Sequence, residues 1–336
     1  MHDVARLAGV SISTVSALIN GAPRVSELRA DRIRTAMQAL DYHPDQIARS
    51  LKVGRSQTIG VVIPDITNDF YPAVFRGIED AARAAGYSVL LCNSNESAEQ
   101  ERLQLNTLFA RRVDGVLLAC SSGSNAYETQ LTRRSPLVFV DRIPQGITQG
   151  AVCTDNVEAG FIATEYLIGL GHRRIALIAG DLKLTPHAER LEGFQKAMRR
   201  AGLAVHDHCL CSDGMLIEDG RRLTAQLLSA KVSPTAIIAS NGKLLLGLLH
   251  VVREKRRRIP NDLSVLAFHE HEWSSYVDPP ITAVVQPTYE LGRRAFELLS
   301  AKITAQKATR DCGAVIRLHG ELRVGGSTGK PSRKPG

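Results

Sequence analysis

Asp3-Val4-Ala5-Arg6-Leu7-Ala8-Gly9-Val10-Ser11-Ile12-Ser13-Thr14-Val15-Ser16-Ala17-Leu18-Ile19-Asn20 carries two short helical periods broken at one glycine. Val4, Ala5 and Ala8 share one helical face, and Val15, Leu18 and Ile19 another. Gly9-Val10-Ser11 makes a tight break, Ser11 offers a capping hydroxyl for the second helix, and Asn20-Gly21 offers a stop. A third helix follows, capped by Ser26 and carrying Ile33, Met37 and Leu40 inward. Two helices joined by a short glycine-containing turn have the form of a helix-turn-helix. From Met1 to Ser56 eight Arg/Lys stand against five Asp/Glu, a net +3. Such a balance suits a polyanion, whose counterions are released on binding, but a solvated helical surface gives the same count.

Outward from this head, Pro44 closes the unit. Asp45 to Lys52 is a short amphipathic piece, about eight residues and too short to hold a helix alone in water. From Thr58 the texture changes to apolar runs alternating with helical stretches. The runs begin at Ile59–Ile63 and recur at Ser88–Cys92, Gly115–Ala119, Leu137–Val140, Ala151–Thr154, Ile175–Ala179, Ala236–Ala239, Ser264–Phe268 and Ile281–Val285. Apolar runs with helical crossovers mean parallel sheets covered on both faces. The fold class is therefore α/β: an all-α helix-turn-helix head, a linker with one marginal helix (the hinge helix of the resemblance below), and two doubly wound lobes. Ligands in such sheets sit beyond the carboxyl ends of the strands. Those ends here are polar: Pro64-Asp65, Asn93-Ser94, Asp141-Arg142, Gly180-Asp181, Ser240-Asn241 and His269-Glu270.

The boundaries read as residues 1–43 for the head, 44–57 for the hinge, 58–325 for the core and 326–336 for a disordered Gly/Ser/Pro/Lys-rich tail. Lobe 1 is assigned 58–155 and 287–312, and lobe 2 156–286 and 313–325. With 336 residues and 44% hydrophobic content, the chain needs no disulfide or metal to build a core. No run of about 18 apolar residues occurs, and Met1 to Ala8 lacks a signal-peptide profile. The expected compartment is the cytosol. Cys92, Cys120, Cys153 and Cys312 lie far apart and only Cys209 and Cys211 are near neighbours, which suits reduced, mostly buried thiols. The clusters His206, His208, Cys209, Cys211 and His269-Glu270-His271-Glu272 match no zinc-finger or HExxH spacing, so we expect no metal and no cofactor.

The chain resembles the LacI family of bacterial regulators. The resemblance is carried by the head motif, by Asn20-Gly21, Val25-Ser26, Tyr42, Pro44 and Ile47-Ala48-Arg49-Ser50-Leu51, and by Ile59 to Asp65. It continues through Arg112-Val113-Asp114-Gly115, Gly171-His172-Arg173, Arg190-Leu191, Gly193-Phe194 and Gln286-Pro287, from about His2 to Arg323. It implies a periplasmic-binding-protein-like core acting as a homodimer on palindromic, double-stranded operator DNA. Ser11 to Asn20 would be the recognition helix, with Ile12, Ser13 and Ala17 facing base edges and Thr14 and Ser16 meeting the backbone, Ser11 and Asn20 completing the DNA-binding set. Arg49, Ser50 and Leu51 would form the hinge contact, Leu51 wedging into a minor-groove base step. Two departures stand out. Many relatives place a large polar residue at Ala17, so this operator half-site should differ there. Relatives also carry a few more residues before Asp3, including a cap, so helix 1 is expected to be weakly capped.

By position, the family's effector cleft would draw on Asp65, Phe70, Tyr71, Asp141, Arg142, Arg190, Asn241, His269, Trp273 and Gln286. Relatives often hold acids where Gly242 and His269 stand. Their loss beside Arg190 makes the pocket less negative and points to a sugar acid or sugar phosphate, an anionic carbohydrate, with Trp273 stacking on it. Arg190 is the leading candidate, because a guanidinium forks onto hydroxyls or a carboxylate.

An enzyme is disfavoured: no GxGxxG follows a strand, and neither GxxxxGK[ST] nor GxSxG occurs. A solute-binding sensor without DNA readout remains the alternative at this point. The resemblance favours a repressor, kept in the cytoplasm and nucleoid-associated. With no leucine heptad beyond Arg323, it is a dimer rather than a tetramer.

Overall fold

The computed structural model describes residues 1–19, 25–42, 55–121, 135–144, 150–205, 210–211, 214–269, 272–304 and 313–332. The chain divides into two compact units, Met1–Gln57 and Thr58–Gly336.

In the first unit α1 spans His2–Ala8, α2 Ile12–Ile19 and α3 Glu27–Ala39. Gly9 ends α1 in the left-handed region (φ 62°), where a Cβ would be strained, and the Val10 N–H returns to the Ala5 carbonyl at 3.1 Å. The Ser11 hydroxyl accepts from the Thr14 N–H at 3.2 Å, so it caps α2 as its position demands. Met1 gives α1 no side-chain cap. Ser26 departs from expectation: it sits at the N-cap of α3 but makes no capping bond there. Val4, Ala5, Ala8, Val15, Ile33 and Ala36 form the small core.

The second unit holds two six-stranded sheets. β1 is Thr58–Ile63, α4 Phe70–Ala84, β2 Ser88–Asn93, α5 Ala98–Ala110, β3 Gly115–Leu118, β4 Leu137–Val140 and β5 Gly150–Thr154. Then come α6 Asn156–Gly169, β6 Ile175–Ile178, α7 Thr185–Arg200, β7 Leu210–Cys211, α8 Ile217–Ser229, β8 Ala236–Ala239, α9 Gly242–Glu254 and β9 Ser264–Phe268. A 3₁₀ turn at Glu272–Ser275 precedes β10 Thr282–Val285, α10 Thr288–Thr304, β11 Val315–Leu318 and β12 Glu321–Arg323. Lobe 1 has the order β11-β5-β4-β3-β1-β2, and lobe 2 has β12-β10-β9-β8-β6-β7. Position for position the winding is the same in both. β12 alone runs antiparallel to its neighbour among these strands. The inner strands are buried along their length because helices cover both faces.

Three helix pairs close on glycines. A Cβ on Gly193 of α7 would lie 2.0 Å from the Val157 carbonyl of α6, and one on Gly160 2.3 Å from the Arg190 carbonyl. Gly77 with Gly292 joins α4 to α10 in the same way, and Gly220 with Gly247 joins α8 to α9.

Two boundary expectations need correction. β11 belongs to lobe 1, where it pairs with β5 from Val315–Ala151 to Leu318–Thr154, so the last crossover lies at His319-Gly320 and not near 313. A four-residue edge strand with alternating exposure leaves no buried apolar run to read. The tail is also ordered as far as Ser332. Ser327 is fully buried: its hydroxyl donates to the Val265 carbonyl (2.6 Å) and accepts from the Thr282 N–H (2.8 Å). The His172 Nε2–H donates to the Gly329 carbonyl at 2.8 Å. The small polar residues that suggested disorder are the ones that pair with the amino ends of β9 and β10.

Candidate functional site

The carboxyl ends of the strands in the two lobes face one cleft. Asp65, Phe70, Tyr71, Asp141, Arg142, Arg190, Asn241, His269 and Gln286 all line it. The space between the lobes is about 700 Å³, open solvent at its mouth included. Trp273 is the exception. It packs on the lobe 2 core around Leu263 and Ile281 and does not line the cleft. It was placed in the cleft by position in the family resemblance, but here the 3₁₀ turn Glu272–Ser275 packs it on the lobe 2 core. Ser240, one of the polar strand ends, lines the cleft, and so do Glu96, His187, Lys243 and Phe268, which were not anticipated; all but His187 sit within four residues of a strand end.

Equivalent places in the two lobes supply Asp141 and His269. Each directly follows a strand, β4 or β9, with φ of 63° and 71°. Each N–H is tied to the neighbouring strand, Asp141 to the Val152 carbonyl (2.8 Å) and His269 to that of Val284 (2.9 Å). This sparsely populated conformation is held by the sheet and turns both side chains away from the strand path.

Arg190 is the hub. Its Nε–H donates to Asn156 Oδ1 (2.9 Å), Nη2–H to Gln286 Oε1 (3.1 Å), and Nη1–H to the Ser240 carbonyl. The guanidinium carbon lies 4.6 Å from the centre of the Phe268 ring. All three acceptors are neutral, and among the described residues no carboxylate lies within ion-pair distance of Arg190. Burial pushes its pKa down to about 10, opposed by the Asp141 charge, so it stays cationic at neutral pH. Arg142 is different: Glu96 takes it with two bonds of 2.6 and 2.8 Å.

Asp141 accepts from the Tyr71 hydroxyl at 3.0 Å. Burial raises the Asp141 pKa against the pull of Arg142 and Arg190. The Tyr71 phenol is held well above its usual value, first by burial, so it stays a donor. The Ser240 hydroxyl donates to the Ala179 carbonyl (2.6 Å) and therefore accepts from His187 Nδ1–H (3.0 Å). Burial holds His187 neutral, with a pKa well below the usual 6.5, leaving Nε2 as an acceptor. Asn241 spends its carbonyl oxygen capping α9 through the Leu244 N–H (2.8 Å). The cleft thus offers charged donors, several acceptors and the rings of Phe70, Tyr71 and Phe268, an arrangement suited to a polyhydroxylated ring.

On the head, Ser11, Ile12 and Ser13 are exposed, Thr14, Ser16 and Ala17 are half-buried, and Val15 turns inward. The Ser11 hydroxyl also meets those of Ser13 (2.7 Å) and Thr14 (2.8 Å). Ile12, 39% exposed, presents an apolar side chain at the start of α2. Asn20, Arg49, Ser50 and Leu51 lie outside the described residues, as do His206, His208, Cys209, Glu270 and His271.

Residues 1–45 match the model of bacterial regulatory proteins of the lacI family, and residues 164–328 that of the periplasmic binding protein-like domain. The ribose operon repressor of Escherichia coli (strain K12) is 37% identical over 306 residues, 90% of this chain and 93% of that protein. The chain belongs to the lacI family of bacterial regulatory proteins. It is accordingly a DNA-binding transcriptional regulator with a small-molecule effector, and not an enzyme. Two solved structures agree with the fold: the lac repressor dimer bound to operator and the anti-inducer ONPF (TM-score 0.85, 25% identity, 97% of this chain and 98% of that one), and a LacI family regulator from Enterococcus faecium with bound ribose (TM-score 0.71, 30% identity, 81% and 99%). Among the described residues no helix is long and apolar enough to cross a membrane.

Proposed function

We propose that this regulator is a homodimeric repressor, acting in the cytoplasm on nucleoid DNA, whose operator affinity is set by a small carbohydrate held between the lobes. The observation that carries the carbohydrate reading is the Arg190 hub. A buried cation held by Asn156, Ser240 and Gln286, with Asp141, neutral His187 and the Phe70 and Phe268 rings around it, matches the alternating hydroxyls and apolar face of a sugar. Relatives named for the ribose operon and a neighbour with bound ribose support the class. The second reading, an anionic sugar, is favoured by one feature, the lack of a carboxylate within ion-pair distance of Arg190 among the described residues. Against it, Glu96 already neutralises Arg142, and Asp65 neutralises Lys243.

On DNA, Ile12, Ser13 and Ala17 face base edges in this reading, while Ser11, Thr14, Ser16 and Asn20 meet phosphate. Arg49, Ser50 and Leu51 act in the minor groove, Leu51 as the wedge. That hinge assignment rests on the family resemblance alone.

Selection from a random duplex pool at physiological salt tests the DNA half. A palindrome with a flexible pyrimidine–purine step at its centre is expected; no enrichment refutes it. Calorimetry with ribose, other pentoses, hexoses and their acids and phosphates tests the other half. Tighter binding of the neutral sugars supports the first reading, and tighter binding of the acids or phosphates the second. Purified, folded protein that binds none of them refutes the carbohydrate class.

A further inference from the structure

The lobes touch across the mouth of the cleft through a short ion pair, and also through a longer approach of His269 Nε2 to Asp69 Oδ1 at 4.0 Å. Lys243, the second residue of α9 in lobe 2, reaches Asp65 at the end of β1 in lobe 1, with Nζ 2.5 Å from Oδ2. The same ammonium donates to Thr67 Oγ1 at 3.2 Å. Thr67 in turn donates to Asp65 Oδ1 from its hydroxyl (2.7 Å) and its N–H (2.9 Å). Asp65 and Lys243 side chains are 17% and 29% exposed, and both line the cleft. Burial acts to raise the Asp65 pKa, but the bonds from Lys243 and Thr67 outweigh it and hold the carboxyl below its usual value, so Asp65 is ionised at neutral pH.

The position of Lys243 is itself informative. The first turn of α9 carries no acidic residue. Amide N–H groups and the helix dipole there favour an anion and oppose a cation. An ammonium at that place is offset only by what the other lobe presents. A second crossing lies nearby in the chain, where Thr185 at the start of α7 donates to the Ile143 carbonyl (2.7 Å) and accepts from the Ile143 N–H (2.9 Å). On the crossover side, Arg317 of β11 holds Glu189 of α7 through two bonds of 2.7 and 2.9 Å. Opening about the three crossovers would leave that last pair in place and break the one at the mouth.

We propose that Asp65–Lys243 is a charged latch that holds the lobes together over the cleft before any effector arrives, so that effector entry waits on its opening. The proposal takes the cleft to be the effector site, as above, but its test uses no effector.

Hydrogen–deuterium exchange, followed by mass spectrometry on the effector-free full chain, reads closure directly. Backbone lining the cleft exchanges when the lobes part, while the sheet interiors exchange only on deeper unfolding. Lys243→Met and Asp65→Asn should each raise exchange about two- to fivefold in peptides covering 66–72, 141–144 and 240–245, the range expected of a part-exposed pair. Exchange in β6 and β9 should not change. The swap Asp65→Lys with Lys243→Asp should restore the slow rate. No rise in either single variant overturns the latch. A rise that the swap leaves uncorrected assigns the effect to local packing and also overturns it. So does an equal rise in β6 and β9, which marks lost stability. Failure of every sugar to bind would leave these rates as they are, so the two readings fail separately.

Discussion

Gly193→Ala puts the link between packing and sensing under direct strain. The new Cβ would sit 2.0 Å from the Val157 carbonyl oxygen and 2.7 Å from the Phe161 nitrogen, against a floor of 3.0 Å for real Cβ contacts. Both atoms belong to backbone, so no side chain can step aside: α6 and α7 must part by at least the missing 1.0 Å. Overpacking of this kind costs about 1–3 kcal/mol. For a unit of this size that lowers the melting temperature by roughly 2–12 °C. The same displacement pulls Arg190, on α7, from Asn156, the first residue of α6. Their 2.9 Å bond would lengthen beyond hydrogen-bond range. Effector affinity should therefore fall with stability. Gly169→Ala is the matched control, since nothing lies within 4 Å of its Cβ position and its φ is not left-handed. There alanine should stabilise α6 by about 0.5–1 kcal/mol. Differential scanning fluorimetry and calorimetry on both variants decide the matter. A Gly193→Ala protein that melts within about 1 °C of the parent and keeps its effector affinity would show that the close approach does not seat Arg190.

Other perturbations separate the remaining roles. Arg190→Met takes a donor from the Asn156, Gln286 and Ser240 oxygens, of which Gln286 keeps its bond from the Thr154 hydroxyl, at about 1–3 kcal/mol for each one left unsatisfied; calorimetry should show effector binding lost while operator binding persists, and retained affinity would remove Arg190 from the site. Trp273→Phe should lower the melting temperature and leave effector affinity unchanged; a tenfold affinity loss at about 1.4 kcal/mol would return Trp273 to the cleft. Thr14→Ala should weaken binding to all duplexes alike, whereas Ile12→Ala should change the recovered operator sequence; the reverse pattern in a repeated selection would exchange their roles. The core should lose stability as pH falls from 7.5 to 5.5. His172 and His187 both have pKa values lowered first by burial. The unfolded chain therefore takes up protons near pH 6.5 that the folded chain refuses, and stability falls by up to about 1.4 kcal/mol per pH unit for each histidine. His319, raised by its bond to Glu158, acts the other way: its contribution is present below pH 6.5 and fades as pH rises. It is exposed, so the two buried histidines should win, and a melting temperature flat across this range would contradict that balance.

What the sequence disclosed and what it withheld divide along physical lines. The inner strands were legible because burial on both faces leaves continuous apolar runs such as Thr58–Ile63 and Ser264–Phe268. The cleft followed from them, since a strand end fixes which polar residue comes next. Arg190 was reached only through the family resemblance; nothing in its helix announces a side chain that will leave the surface for three neutral acceptors. β7, β11 and β12 were missed because two to four residues at an edge carry no period worth reading. The ordered tail was missed because glycine and serine look alike in a linker and in a strap bonded to strand ends. Lys243 looks like a solvated helix residue until the chain brings Asp65 to it from 178 positions away.

In the proposed reading, β1 is the lever between the effector and the linker. Its six residues span about 20 Å, with Thr58 at the end that receives the linker and Ile63 at the end that delivers Asp65 to the cleft. β1 is flanked by β2 and β3 and buried from Ile59 onward, so it moves only as part of lobe 1. In the proposed reading the effector acts by choosing how the lobes stand about their three crossovers, not by a path of shifting side chains. In such a device the decisive groups are those that touch the other lobe or set the crossovers: Asp65 and Lys243 at the mouth, Arg317 and Glu189 at the back, and the Thr154–Gln286 bond of 3.1 Å between the strands that lead into two of the crossovers. A ligand bound equally well in every lobe arrangement would leave the operator affinity where it was.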